Sequence, residues 1–161
     1  LSWAKALFDV DGVGLDIEAG AVAWAQMHSA GVFCHADGRR LGWIPDGEFD
    51  HVISYAALYH MSKVDQCHTG IHLLRKLKVG GRAYFGWNQA YSMAAFEWRA
   101  CFANASAWPE LPREDVAIMA RMQVDFQAVE DAYLFPPTVE VAGTHYLYQY
   151  PAFSIILTRL A

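Results

Sequence analysis

Val13-Gly14-Leu15 ends in Asp16, and Val32-Phe33-Cys34-His35 ends in Ala36-Asp37-Gly38. Phe49-Asp50-His51-Val52-Ile53-Ser54-Tyr55 follows and runs into a loop that reaches His60-Met61. These three segments place acids and an imidazole at the ends of short apolar runs. An ionised carboxylate only accepts hydrogen bonds. At Asp16 that suits the two hydroxyls of a ribose diol. At Asp37 it suits the exocyclic amine of a base, with the small neighbours Ala36 and Gly38 leaving room for a ring. Each acid also has a plain structural reading: Asp16 as the N-cap of a helix from Ala19, Asp37 as an ordinary turn residue. Two acids that each end their own strand argue more strongly together than apart.

His60 follows Ala56-Ala57-Leu58-Tyr59. An imidazole there can act as a general base, because its class titrates near neutrality; packing or a loop hydrogen bond is the alternative. Trp87 and Asn88 close a later apolar run and either line a pocket or belong to the core. His68 and His72 stand at i, i+4 beside Cys67, a spacing found in metal sites. No HExxH glutamate accompanies them and no second ligand pair has a regular spacing, so a solvated helix face is the expectation and no metal is assigned. A Gly-x-Ser-x-Gly elbow and a phosphate-binding Walker loop are both missing from the sequence.

The elements that must position these residues alternate. The pattern predicts helix at Leu1–Phe8, strand at Val13–Asp16, helix at Ala19–Ala30 and strand at Val32–His35. Gly31 is placed as the C-cap of the second helix. A turn at Pro45-Asp46-Gly47 precedes a strand at Phe49–Tyr55. An amphipathic helix follows at Val64–Leu77, ended by Gly80-Gly81, then a strand at Arg82–Trp87. Such alternation predicts an α/β fold with a parallel sheet. In open sheets of that kind ligands sit at the carboxyl ends of the strands, which is where Asp16, Asp37 and His60 fall. Beyond residue 88 the pattern changes. It predicts helix over Ala90–Ala107 and Arg113–Met122, then strand over Val124–Tyr133, Tyr146–Tyr150 and Phe153–Leu160.

The whole chain of 161 residues suits one domain with a proper core. It is 55% hydrophobic and 14% aromatic, which excludes a disordered tail. Its net charge is -5, with only 12 Lys and Arg, so a nucleic-acid partner is not expected. Arg75-Lys76-Leu77-Lys78 reads as the basic last turn of a helix, favourable against its dipole. No apolar run approaches the roughly 18 residues that span a bilayer, so no membrane partner is expected. Three cysteines without tight spacing do not suggest a disulfide framework, which points to a reducing, cytoplasmic compartment. The oligomeric state is not encoded in any of these features.

Taken as a set, these segments resemble the class I S-adenosylmethionine-dependent methyltransferases, in particular the type 11 methyltransferase domains. Val13-Gly14-Leu15-Asp16-Ile17 is similar to the second-strand motif whose acid holds the cofactor ribose. Ala36-Asp37-Gly38-Arg39-Arg40-Leu41 is similar to the loop that meets the adenine amine. Pro45 to Ser54 resembles the approach to the fourth strand, and Tyr55 to Met61 the loop along the methionine part of the cofactor. Leu73 to Arg82 resembles the helix and turn before the fifth strand, with Val79 where the family usually has Pro. The likeness runs from residue 1 to about Asn88 and returns at the C-terminus.

The resemblance implies a Rossmann-like sheet with helices on both faces and a C-terminal antiparallel hairpin, formed by Val124–Tyr133 and Tyr148–Leu160. It implies S-adenosylmethionine as cofactor, held by Asp16, Ile17, Ala36, Asp37, Gly38, Tyr55, Ala56 and His60. A small-molecule acceptor is then expected near Tyr59, Trp87, Asn88, Phe96 and Trp98, with His60 as the catalytic base, or alternatively Tyr59, where the acceptor must lose a proton. The family's first strand and glycine-rich loop have no counterpart in the sequence, because Leu1–Phe8 resembles the helix that follows that loop; an N-terminally truncated domain is therefore expected. Methyl transfer is the leading reading. A non-catalytic methyltransferase-like scaffold and a nicotinamide-dependent Rossmann oxidoreductase are the alternatives.

Overall fold

The computed structural model describes residues 2–55, 57–88, 93–131, 138–141, 144–147 and 152–161. Backbone contacts divide the chain into two compact units, Leu1–Trp43 and Ile44–Ala161.

The first unit is built from α1 (Ser2–Phe8), β1 (Val13–Asp16), α2 (Ala19–His28) and β2 (Val32–His35). The two strands pair in parallel, Val13 opposite Val32 and Asp16 opposite His35. Both strands fall where the sequence places them. Parallel strands cannot be joined by a tight turn, so a crossover is required, and the alanine-rich α2 provides it. The Gln26 amide donates to the Phe33 carbonyl at 3.0 Å, which ties the crossover helix to β2. Glu18, not Asp16, caps α2: its carboxylate accepts from the Gly20 N–H. Ser29 is the C-cap, two residues before Gly31.

The second unit carries a four-stranded sheet in the order β3 (Phe49–Tyr55), β4 (Leu77–Asn88), β8 (Ala152–Arg159), β5 (Val124–Asp131). β3 and β4 are parallel. β8 is antiparallel to β5, as the hairpin expectation requires, and also to β4. A small antiparallel pair, β6 (Thr138–Val141) with β7 (Thr144–Leu147), falls in a stretch where no such pair was expected. Leu1, Ala132, Tyr133, Pro136, Pro137 and 148–150 lie outside the described residues. Of the helix expected over Ala90–Ala107, residues 90–92 are outside the described set. α4 (Ala95–Ala103) and a 3-10 turn at Ala105–Ala107 make up the rest. α5 (Arg113–Met119) completes the unit.

Alternation and helical spacing explain the core of this unit. On β4, Ala83 and Phe85 are fully buried, and their partners Leu157 and Ile155 on β8 are buried too. α3 (Lys63–Lys76) turns Cys67, Ile71 and Leu74 into the same cluster. Each such fully buried aliphatic side chain contributes about 1.5–3 kcal/mol. The end of α3 differs from expectation. Gly80-Gly81 does not stop it; the helix ends at Lys76, and Leu77 is already extended. Gly81 instead allows a close approach. A Cβ there would lie 3.0 Å from the Asp50 carbonyl oxygen and 2.9 Å from that of Lys78. It sits where the β3–β4 register shifts between Phe49 and His51.

The last turn of α3 is held by ions as well as by its dipole. Lys76, only 3% exposed, donates to the Ile44 carbonyl at 2.7 Å and to Asp46 at 2.6 Å. Arg75 donates to the same carboxylate at 2.7 Å. Burial opposes the Asp46 charge, but these hydrogen bonds outweigh it and hold its pKa below the ordinary value. Lys78 pairs with Asp50 at 2.9 Å.

Cys67 and Cys101 form a disulfide that joins α3 to α4, with Cα atoms 5.9 Å apart. This overturns the expectation drawn from cysteine spacing. The pairing is set by helix packing across 34 residues of sequence, which spacing alone does not reveal. Cys34 is the free thiol.

Candidate functional site

β1 and β2 end side by side. Asp16 is opposite His35 in the ladder, and the Ala36 N–H donates to the Asp16 carbonyl at 2.9 Å. The next residues of both strands, Ile17 and Ala36, therefore leave the sheet together, and the His35 Nε2 stands 2.9 Å from the Ile17 carbonyl. The Asp16 side chain is exposed and accepts one backbone bond, from the Glu18 N–H at 2.8 Å. That bond orients the carboxylate. A carboxylate offers about four lone-pair positions, so this arrangement fits a diol.

Asp37 is engaged differently. Its Oδ1 accepts from the Arg39 N–H at 2.9 Å and from Nε at 3.0 Å, and its Oδ2 accepts from Nη2 at 2.8 Å. The Arg39 hydrogen bonds hold its pKa down at about 2. An amine at this carboxylate must share it with the guanidinium. Because the folded pKa lies below the unfolded one, the pair stabilises the chain above about pH 4 and that contribution is lost as pH falls. Both side chains are partly exposed, so the pair is worth no more than about 1 kcal/mol. The 13C resonance of the Asp37 carboxyl is expected to titrate at about 2. In Arg39→Ala it should return towards the ordinary value of about 3.9. A midpoint that ignores the substitution would show that Arg39 is not the cause.

In the second unit β3 ends at Tyr55, which is 49% exposed. Its ring lies over Gly86, where a Cβ would come within 2.7 Å of the Tyr55 Cδ2. Ala56 lies outside the described residues. The loop then makes a 3-10 turn, Leu58–His60. Leu58 is buried and anchors it, while His60 is exposed and packs on Tyr59 with ring centroids 4.0 Å apart. Trp87 and Asn88 close β4, and their side chains lie outside the described set.

α4 separates two residues that were expected to act together. Phe96 is 74% exposed, whereas Trp98 is fully buried between Phe85 and Phe102, at centroid distances of 5.6 and 5.5 Å. Trp98 is thus a core residue, not a pocket wall. The spacing of Trp98, Cys101 and Phe102 at i, i+3, i+4 is the signal that marks this buried face.

His68 and His72 also depart from expectation. They do not form a solvated face. The His68 Nδ1–H donates to Asp115 Oδ2 at 2.6 Å and the His72 Nε2–H to Oδ1 at 2.9 Å. Asp115, from α5, is 1% exposed. Burial works against its charge, but the bonds from His72 and His68 prevail and keep its pKa below the ordinary value. Sequence reading missed Asp115, since nothing local links it to a helix more than 40 positions earlier.

Among the described residues no helix is long and apolar enough to cross a membrane.

A family profile described as a methyltransferase domain matches residues 1–85. No curated protein matches the chain in sequence. Solved structures match it in fold. A SAM-dependent methyltransferase from Archaeoglobus fulgidus is 12% identical with a TM-score of 0.58, over 97% of this chain and 79% of that one. The YcgJ protein from Bacillus subtilis is 14% identical with a TM-score of 0.59, over 94% and 83%. The N-methyltransferase NodS from Bradyrhizobium japonicum, solved with S-adenosyl-L-homocysteine, is 13% identical with a TM-score of 0.52, over 99% and 73%. At such identities the likeness is one of fold: a mixed α/β sheet flanked by helices.

Proposed function

This chain belongs to the methyltransferase domain family, and from that premise we propose that residues 1–161 act as one domain that transfers a methyl group from S-adenosylmethionine to a small-molecule acceptor. The observation that carries the reading is the paired end of β1 and β2. It presents Asp16 and Ile17 beside Ala36, and Asp37 and Gly38 follow directly along the chain.

S-adenosylmethionine, when bound, supplies an electrophilic sulfonium methyl whose bonding electrons stay on sulfur as it leaves. The residues of this chain do the rest. Asp16 accepts from the ribose diol, held in orientation by the Glu18 N–H. Asp37 accepts from the adenine amine while keeping part of its contact with Arg39. Ile17, Ala36 and Gly38 flank the nucleoside. Tyr55, Ala56 and His60 are assigned to the methionine end by the family resemblance. Tyr59, Trp87, Asn88 and the exposed Phe96 are assigned to the acceptor. His60, exposed at the end of its turn, takes the proton of an acceptor that must lose one. Catalysis is then largely positioning of two reactants.

A small-molecule acceptor is favoured over nucleic acid because Arg75, Lys76 and Lys78 each meet a carboxylate and so form no open basic face.

Calorimetry with S-adenosylmethionine and S-adenosyl-L-homocysteine tests the reading. Saturable binding by the chain is expected. Asp16→Ala should weaken it roughly 10–100-fold, the cost of losing charge-assisted bonds to a diol. Asp37→Ala should weaken it less, because its carboxylate is shared. No binding by a folded chain, or binding indifferent to both substitutions, would sink the proposal. Binding without turnover on any acceptor would favour the second reading, a non-catalytic methyltransferase-like subunit.

A further inference from the structure

We propose that His68, His72 and Asp115 form a site for one divalent transition-metal ion, of the zinc class, that clamps α3 to α5. Two imidazole nitrogens and one carboxylate oxygen lie within 4.8 Å of one another. The two histidines stand one helical turn apart on α3, so both rings leave the same face. Their rings sit 4.4 Å apart, tilted by 48°, and both present a nitrogen to the same carboxylate. That carboxylate comes from a different helix and is buried, while His68 and His72 keep 22% and 13% of their side-chain surface exposed. A cation can therefore reach the cluster from the imidazole side and be backed by a charge that water does not screen.

The donor set decides the class of ion. Two imidazoles and a carboxylate suit zinc and its neighbours in the first transition row, not calcium or magnesium, which prefer all-oxygen shells. Zinc–nitrogen and zinc–oxygen bonds of about 2.0–2.2 Å in a tetrahedral arrangement set neighbouring ligand atoms roughly 3.3 Å apart. The present separations of 2.6 and 2.9 Å are hydrogen-bond lengths, so these nitrogen–oxygen pairs must open by a few tenths of an ångström, while any wider pair, all being within 4.8 Å, closes towards the same spacing. Each coordinating nitrogen must present its lone pair, so the proton it turns towards Asp115 gives way to the ion, passing to the other ring nitrogen of a neutral imidazole or to solvent from an imidazolium. Three protein ligands leave a fourth position for water. Glu114 is next to Asp115 in sequence, and Arg75 stands 3.6 Å from Glu114.

The test uses the whole chain, oxidised and free of thiols and chelators. Zinc is titrated calorimetrically, and cobalt is added as a spectroscopic substitute. One zinc per chain is expected, with the visible absorption of four-coordinate cobalt and a thermal midpoint that rises with zinc. His68→Gln and His72→Gln should each weaken binding at least roughly tenfold, and the double variant should abolish it together with the cobalt bands. Asp115→Asn should do the same if it folds. The two glutamine variants decide the matter alone if it does not, since both sites are partly exposed. Absence of saturable zinc binding would overturn the proposal. So would one-to-one binding that the double variant leaves intact, because the ion would then sit on other residues. These outcomes are independent of S-adenosylmethionine binding.

Discussion

Trp98→Ala should lose about 3–5 kcal/mol of stability, the usual cost of truncating a large aromatic in a packed core. The ring is fully buried; it stacks on Phe102, one turn along α4, and meets Phe85 of β4 at a tilt of 51°. It also lies against Gly70 of α3, where a Cβ would come within 2.7 Å of its Cζ3. Trp98 thus joins sheet, α3 and α4 at one point, and the void left by alanine has rigid walls on three sides. Phe96→Ala is the matched control. Its ring is largely exposed, so its loss should change stability by no more than about 0.5 kcal/mol, and any effect should appear in acceptor use. Urea unfolding of both variants checks the pair. A midpoint that falls for Trp98→Ala with an unchanged slope is the expected result. Equal stability of the two variants would show that Trp98 is not the core residue described.

Breaking the Cys67–Cys101 bridge should cost about 2–4 kcal/mol. The bridge closes a separation of 34 residues, for which the chain-entropy account gives about 3–4 kcal/mol. Both cysteines are fully buried, and the double substitution Cys67→Ala/Cys101→Ala leaves no unsatisfied hydroxyl behind. Thermal unfolding with and without dithiothreitol measures the cost, which should be lost in the double variant. A thiol count supplies an independent check. Of three cysteines, one, Cys34, is free, so unfolding without reductant should expose a single reactive thiol. Three thiols under those conditions would refute the bridge. Because Gly70, Trp98 and the bridge all lie along the α3–α4 contact, this loss and that of Trp98→Ala should not simply add.

The sequence by itself determined the elements and the acids at their ends. β1, β2 and β3 stand where their apolar runs are punctuated by Asp, Gly and Pro, because strand formation and turn chemistry are local properties. The resemblance to methyltransferase domains drew on those same segments, and the family match covers them. Local signals also misled where two elements abut. Gly80-Gly81 looked like a helix stop, yet the chain turns extended at Leu77, and Gly81 serves the close passage of β4 past β3.

Only the tertiary structure decided what depends on distant residues meeting. It placed β8 between β4 and β5, paired Cys67 with Cys101, and brought Asp115 to His68 and His72. It also separated Phe96 from Trp98, two aromatic residues close in sequence, by turning one to solvent and the other into the core. Side-chain type reports how favourable burial is, but the face that is buried follows from which elements pack together. That packing is fixed by the cooperative closure of a shared core, which no single segment encodes.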